Sequence, residues 1–373
     1  MTTVSASMRW TLYTLGLLGF YRTWIRSALN GPLSIVFTSL HVTGTLPGGE
    51  LPLKTSLTGI YWPLDYLLNI LFGLYFAGQH LAVIVTLYVD SYKIKKNSRW
   101  NLSPTLWLYI FQATAVATSG PLFTLYTLAA IEASDAYTAS KSSVKSISFI
   151  PLTVTLGYVI LVVAMAIPST GPRAIVSLDT QQIAVALWNV FPIFTGMLQW
   201  TFDSVFCSSE HSTTSSSKRR IASNAELLSA LRHTYVFAMF ISFASHIAIL
   251  TATFLTVLFP TLSSVAATEA LKPGTIFRLP LSHADIYSMG SGALQFLQWD
   301  LFIGFLTLLI PAAAKYHSSV SKAGKSENAV ILALKVLVAV AFVGPGATLV
   351  DVRWMDDETI LTQEESDSVS KRK

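Results

Sequence analysis

The chain has 373 residues, 52% of them hydrophobic and only 12% charged, where a soluble domain of this size carries about a quarter charged residues. The apolar residues gather in long runs, which excludes an ordinary soluble enzyme and predicts an all-α, polytopic transmembrane bundle with an internal cavity. One cysteine, Cys207, excludes a disulfide framework and Cys-rich metal sites, and the net charge of +5 suits anionic lipid better than nucleic acid, for which no signature is present.

In chain order, Tyr13 to Phe20 is apolar but flanked by Arg9, Arg22 and Arg26. It reads as an extra span, an interfacial helix or a signal-anchor, with a retained span favoured. Gly31 to Val42 is too short to cross alone, and Leu46–Pro52 ("LPGGELP") is a turn-rich loop. Seven spans are then expected near 61–89, 103–131, 148–167, 183–206, 233–259, 293–316 and 329–350, for 7–8 in all. The basic loop Asp90–Asn101 argues for a cytoplasmic side, whereas the span count puts Lys218, Arg219 and Arg220 on the opposite face, so the two orientation signals conflict. Residues 1–350 read as one transmembrane helical domain with a Ser-rich linker at 207–220. The charged stretch 351–373 reads as a tail that does not pack.

The first span carries the first unusual feature. In "TGIYWPLDYLLNILFGLYFAGQH" (Thr58–His80), Pro63 suits a first helical turn and Asp65 lies where a helix dipole favours an anion. Capping alone would account for Asp65. On a helical wheel, however, Asn69, Phe72, Phe76, Gln79, His80 and Asp90 all fall within roughly 60° of it. A stripe mixing polar and aromatic groups belongs against the bundle interior rather than lipid. Ordinary interhelical hydrogen bonding is the bland account of Asn69 and Gln79.

Further along, Gly120-Pro121 is expected to kink the helix carrying Gln112. Trp188, Pro192, Gly196, Gln199 and Asp203 share a face, but Asp203 is near its span end. His246 is mid-span and reads as a neutral, hydrogen-bonded core histidine. The run "GALQFLQWDLFIGFLTLLIP" (Gly292–Pro311) places Asp300 roughly 12 Å in from its start. A charged Asp at that depth costs about 2.5–3.5 kcal/mol on insertion scales, and a carboxyl out of water favours its neutral, proton-carrying form. The alternative is an ion pair with Lys315 on the same face.

Absent motifs narrow the chemistry. There is no DDxxD, NDxxD or DxDD run, and Asp356-Asp357 is followed by Glu358, Thr359 and Ile360, which breaks the magnesium–diphosphate pattern. No P-loop, GxSxG, dinucleotide fingerprint, HExxH or Cys/His cluster occurs, so no metal, nucleotide or other cofactor is expected. Carboxyl acids, amides and many aromatics in an apolar bundle suit proton-initiated chemistry on a lipophilic molecule, with aromatic faces stabilising carbocations.

The segments Pro52–Phe76 and Phe296–Ala312, with the length and span count, resemble the fungal membrane-bound terpene cyclases of the ascofuranone/ascochlorin type, encoded in meroterpenoid gene clusters. Thr58, Gly59, Ile60, Tyr61 and Asp65 match an early T-G-I-Y-x-x-D-like element of that family. Gln298, Trp299 and Asp300 match a late Q-[WY]-D-like element. The resemblance implies a metal-independent isomerase that protonates a terminal epoxide or olefin of a farnesylated aromatic precursor. It implies no diphosphate ionisation, an endoplasmic reticulum membrane, and work beside a prenyltransferase and an epoxidase. Asp65 and Asp300 become candidate acid and counter-carboxylate, with Gln298, Asn69, Gln79 and His80 orienting them and Tyr61, Trp62, Phe72, Phe76 and Trp299 lining the cavity. A transporter or seven-helix receptor-like protein for a lipophilic metabolite is the other class. It predicts paired helix breaks, for which Gly120-Pro121 has no evident counterpart.

Overall fold

The computed structural model describes residues 5–30, 67–93, 103–132, 141–169, 174–207, 223–262, 265–281 and 289–370. Among these residues every regular element is helical. Near the N-terminus, α1 (Ala6–Phe20) passes through a π-turn (Tyr21–Ile25) into α2 (Arg26–Asn30). Then follow α3 (Leu67–Lys93), α4 (Pro104–Thr114), α5 (Val116–Glu132), α6 (Lys141–Val154) and α7 (Ile160–Met165), the last two joined by a π-turn. The second half holds α8 (Leu178–Asn189), α9 (Phe191–Phe202), α10 (Asn224–Leu258), the short α11 (Val265–Ala270) and α12 (Pro273–Ile276), α13 (Met289–Lys322), α14 (Ala329–Val343) and α15 (Pro345–Ser370).

Among the described residues, four stretches are long and apolar enough to cross a bilayer: Leu71–Lys93, Ser143–Met165, Asn224–Leu258 and Gly292–Lys322. A fifth is added if α8 and α9, bent by 60°, form one span. Outward-facing Phe240 and Phe254 on α10 and Leu337 and Phe342 on α14 make an apolar exterior compatible with lipid. The centre is α3. Leu81 through Val89 are all buried, so this helix is covered on every side.

Besides 183–206, bent at Val190, two expected spans are interrupted. The run at 103–131 breaks at Ala115, whose φ of 69° is left-handed, and not at Gly120-Pro121; Pro121 lies within α5. The run at 329–350 breaks at Gly344, where φ is 92° and a Cβ would stand 2.9 Å from His246. Glycine there permits both the left-handed turn and the close crossing. Helix α1 reaches α5 through Gly19, where a Cβ would lie 2.1 Å from the Ala117 carbonyl oxygen.

The expectation of an unpacked tail after residue 350 is corrected: α15 is helical to Ser370 and docks by its charges. Asp356 and Asp357 are buried. Lys315 reaches Asp356 at 2.8 Å, Lys93 reaches Asp357 at 2.5 Å, and Arg353 reaches Asp90 at 3.0 Å. Ser319 and Tyr235 donate hydrogen bonds to Asp356 and Asp357 at 2.6 and 2.7 Å. Cations and carboxylates thus pair between α15 and the ends of α3 and α13, with Lys93 also 3.7 Å from Asp90 within α3. Burial alone would raise the Asp356 pKa, but Lys315 and Ser319 outweigh it and hold the carboxyl below the usual aspartate range. Burial likewise opposes the Arg353 charge, and Asp90 leads the anions that raise its pKa above the ordinary value.

This docking predicts acid sensitivity. Because the Asp356 pKa is lower folded than unfolded, its contribution is present above about pH 4 and is lost as pH falls through the folded value. Thermal unfolding of the detergent-solubilised chain should show a melting temperature falling on that acid side. Asp356→Asn should remove part of that dependence, and Arg353→Met, which leaves Asp90 buried without this partner, should destabilise by about 3 kcal/mol.

Candidate active site

Three consecutive residues of α13 tie down three different elements, because successive side chains on a helix point about 100° apart. The Gln298 amide donates to the carbonyls of Thr275 and Ile276 at 2.8 and 2.9 Å, holding α12. The Trp299 indole N–H donates to the Pro280 carbonyl at 3.3 Å. The same carbonyl accepts from Arg26 Nη1 at 2.9 Å, and the Arg22 guanidinium lies 4.6 Å from the centre of the Trp299 ring. Asp300 points the third way. Its Oδ1 accepts the Ala117 N–H at 2.7 Å.

Ala117 is the second residue of α5, so Asp300 caps, from another helix, a helix that starts inside the bundle. The first amides of a helix have no intrahelical acceptor, and an anion is favoured there. Gly304 lets α13 come close to this start: a Cβ on it would be 3.1 Å from Val116. Asp300 is 5% exposed. The ion pair with Lys315 that the helical wheel allowed does not form; Lys315 bonds Asp356 instead.

The polar and aromatic stripe of α3 divides among several neighbours. Phe72 packs edge-on to Tyr75, with Ile249 of α10 and Leu294 of α13 in the same cluster. Gln79 is fully engaged: its amide donates to the Ser242 carbonyl and Ser245 Oγ at 2.7 and 2.8 Å, and its Oε1 accepts from Gly346 N at 2.8 Å. It therefore ties α3 to α10 and α15, and this interhelical bonding accounts for all its polar atoms. Asp90 belongs to the ionic cluster. Phe76 stacks on His80 at 5.8 Å and 9°, and His80 stands 6.4 Å from Tyr158 and 6.3 Å from Phe191. Phe191 is at the bend between α8 and α9, which turns its ring into the core.

Asn69 lies on α3, but its side chain is outside the described residues, as are Tyr61, Trp62 and Asp65. The structure therefore brings Gln298, Trp299 and Asp300 together around α13, and Phe76 and His80 together on α3. Arg22, Tyr158 and Phe191, which flank these groups, were not singled out from the sequence; the first looked like a flanking charge and the others like ordinary core. His246 accords with the sequence reading, its Nε2 lying 3.1 Å from the Ala341 carbonyl. Among the described residues no group of three or more His, Cys, Asp or Glu side chains could hold a metal ion.

Comparison with known families decides the affiliation. The CtvD domain matches residues 69–361, well over half of the chain. The chain belongs to the CtvD-domain family. Relatives include the terpene cyclase ctvD of Aspergillus terreus, 27% identical over 95% of this chain and 99% of the relative. The terpene cyclase penA of Penicillium crustosum is 25% identical over 80% of this chain and 82% of its own. The terpene cyclase atmA of Aspergillus flavus is 22% identical over 93% and 96%. No solved structure matches. The resemblance to fungal terpene cyclases thus extends to almost the whole chain, and the chain is an enzyme of the terpene cyclase type. The CtvD match includes Asp300 and the whole ionic cluster, and it begins after Asp65.

The capping geometry makes a stability prediction that does not depend on chemistry. Asp300→Asn keeps a side-chain oxygen for the Ala117 N–H and should melt close to the wild type. Asp300→Ala removes the cap and should cost about 1 kcal/mol, read as a lowered melting temperature in detergent.

Proposed function

We propose that this chain is an integral membrane terpene cyclase of fungal secondary metabolism that protonates a terminal epoxide or olefin of a farnesylated aromatic precursor. The rings then close through carbocations without ionisation of a diphosphate. Asp300 carries this reading. It is a carboxyl buried deep in an apolar helix, in a CtvD-family chain whose relatives are named terpene cyclases.

A neutral carboxyl gives its proton to the epoxide oxygen, the C–O bond breaks toward the more substituted carbon, and the olefins of the chain supply electron pairs to the cation in turn. General acid help of this kind is worth about 10²–10⁴-fold, and the folding of the chain before attack rests on the shape of the surrounding wall. Asp65 is the second carboxyl of the scheme, acid or counter-carboxylate. Gln298 and Trp299 act by fixing the loop and helix around Asp300. Phe72, Phe76, Tyr61 and Trp62 serve as apolar lining, with Asn69 and His80 near the reacting chain. In this scheme the interrupted and shorter helices complete seven or eight spans in the endoplasmic reticulum membrane. The substrate arrives through the bilayer from a prenyltransferase and an epoxidase.

The test is expression in a heterologous fungal host fed a terminally epoxidised farnesyl phenol, with cyclised product measured by mass spectrometry. The wild type should cyclise it, and Asp300→Asn, which preserves the cap, should lose about 10²-fold or more in rate. Wild-type turnover by both Asp300→Asn and Asp65→Asn would exclude these carboxyls as the acid.

A further inference from the structure

One face of α3 is built differently from the rest of that buried helix. Gly73, Phe76 and His80 follow the spacing that places residues on a single helical face. At Gly73 a Cβ would meet nothing within 4 Å, so space is open there among the described residues. Within two turns along the same face, the Phe76 ring is parallel to the His80 imidazole at 5.8 Å, and Tyr158 and Phe191, 4.7 Å from one another, also stand beside it. The Tyr158 hydroxyl donates to the Ala77 carbonyl at 2.9 Å, which fixes its ring beside His80.

His80 is 6% exposed, yet neither of its ring nitrogens makes a hydrogen bond among the described residues. His246 and His317 each have one ring nitrogen within bonding distance of a backbone carbonyl, at 3.1 and 2.9 Å, although the Nδ1 of His246 is buried without a partner. Neither ring nitrogen of His80 is one of the fully enclosed, unpartnered polar atoms of the described residues, so the imidazole lone pair is unpaired but reachable. Three aromatic rings stand around the imidazole, one parallel to it, one tilted and one at right angles; aromatic faces attract a cation, and the imidazole is the basic group among them.

We propose that His80 is the base that ends the cation cascade, in a subsite that takes the cationic, hydrocarbon end of the folding chain. This rests on the terpene cyclase reading above. A ring nitrogen lone pair takes a proton from the carbon next to the cationic centre, and the C–H electron pair becomes the new C=C bond. His80 leaves the step as imidazolium and returns that proton to the spent carboxylate between turnovers. The overall reaction is an isomerisation with no net proton gained or lost.

The test uses two cation mimics and the purified full-length chain in detergent. Farnesyl dimethylammonium carries an N–H that can donate to the imidazole; farnesyl trimethylammonium carries the same charge and chain but no N–H. The wild type should bind the former about tenfold or more tightly, as expected for one charged hydrogen bond. His80→Phe, which keeps an aromatic ring, should bind both alike, and His80→Gln guards against a folding defect in the first variant. In the same variants fed the epoxidised farnesyl phenol, consumption should continue while the product shifts from one olefin to a mixture with water-captured alcohol. A purely structural role would lower consumption and leave the product ratio unchanged.

An equal preference in wild type and His80→Phe, or no binding of either ammonium, overturns the assignment of His80. If the ammonium preference is found but the wild type leaves the epoxide untouched, the substrate reading falls and the cation subsite stands.

Discussion

A helix that begins inside an apolar bundle leaves amide protons with no water to accept them, and the hydrogen bond from Ala117 N–H to Asp300 answers that at the start of α5. Much of this side of the molecule depends on it. Ala115 can take its left-handed turn because the helix that follows has an acceptor waiting on α13. Helix α1 then crosses α5 by backbone contact at Gly19, against Ala117 itself. The α1 π-turn delivers Arg22 onto Trp299, the residue before Asp300. Removing the carboxylate would therefore loosen a helix start, a crossing and the seat of an N-terminal arginine together.

The same problem is solved elsewhere with the same means. Where α14 breaks at Gly344 and α15 begins, the Gly346 amide finds its acceptor in Gln79, and the Gln79 amide group is held by Ser242 and Ser245 on α10. Farther along α15, paired charges take over from neutral hydrogen bonds. Buried ion pairs contribute little net stability over apolar packing, but each has a particular partner, so they fix the register of α15 against α3 and α13. The central helix is thus bound by a chain of polar contacts on one side and by aromatic rings on another.

How much of this was legible in the sequence depended on how local the cause was. The helical class followed from the length of the apolar runs, and the depth of Asp300 from its place in one of them. The break at Ala115 was hidden because apolar runs do not mark where a helix stops, whereas Gly344-Pro345-Gly346 is a turn signal set inside such a run. Ala115 carries no turn signal, and its cause lies on α13. The charges of Asp356 and Asp357 read as a solvated tail because their partners, Lys315 and Lys93, lie on other helices, α13 and α3. On the wheel Phe72, Phe76, Gln79, His80 and Asp90 form one stripe, but a helix covered on every side shares such a stripe among its neighbours. Gln79 and His80 are adjacent in sequence, yet one serves α10 and α15 while the other meets Tyr158 and Phe191.

Capping and acid catalysis by Asp300 do not compete, because a carboxyl has two oxygens. One accepts the Ala117 N–H whether the group is protonated or ionised, so the start of α5 is kept throughout a turnover. The proton of the proposed reaction resides on the other. Once it has left, negative charge develops on a group already fixed at a helix N-terminus, where an anion is favoured and the dipoles need not reorient. The cation meanwhile moves along the hydrocarbon chain toward its final base. On this scheme the bond that lets α5 begin in the interior also holds the acid still, and the scaffold and the chemistry use one side chain for that reason.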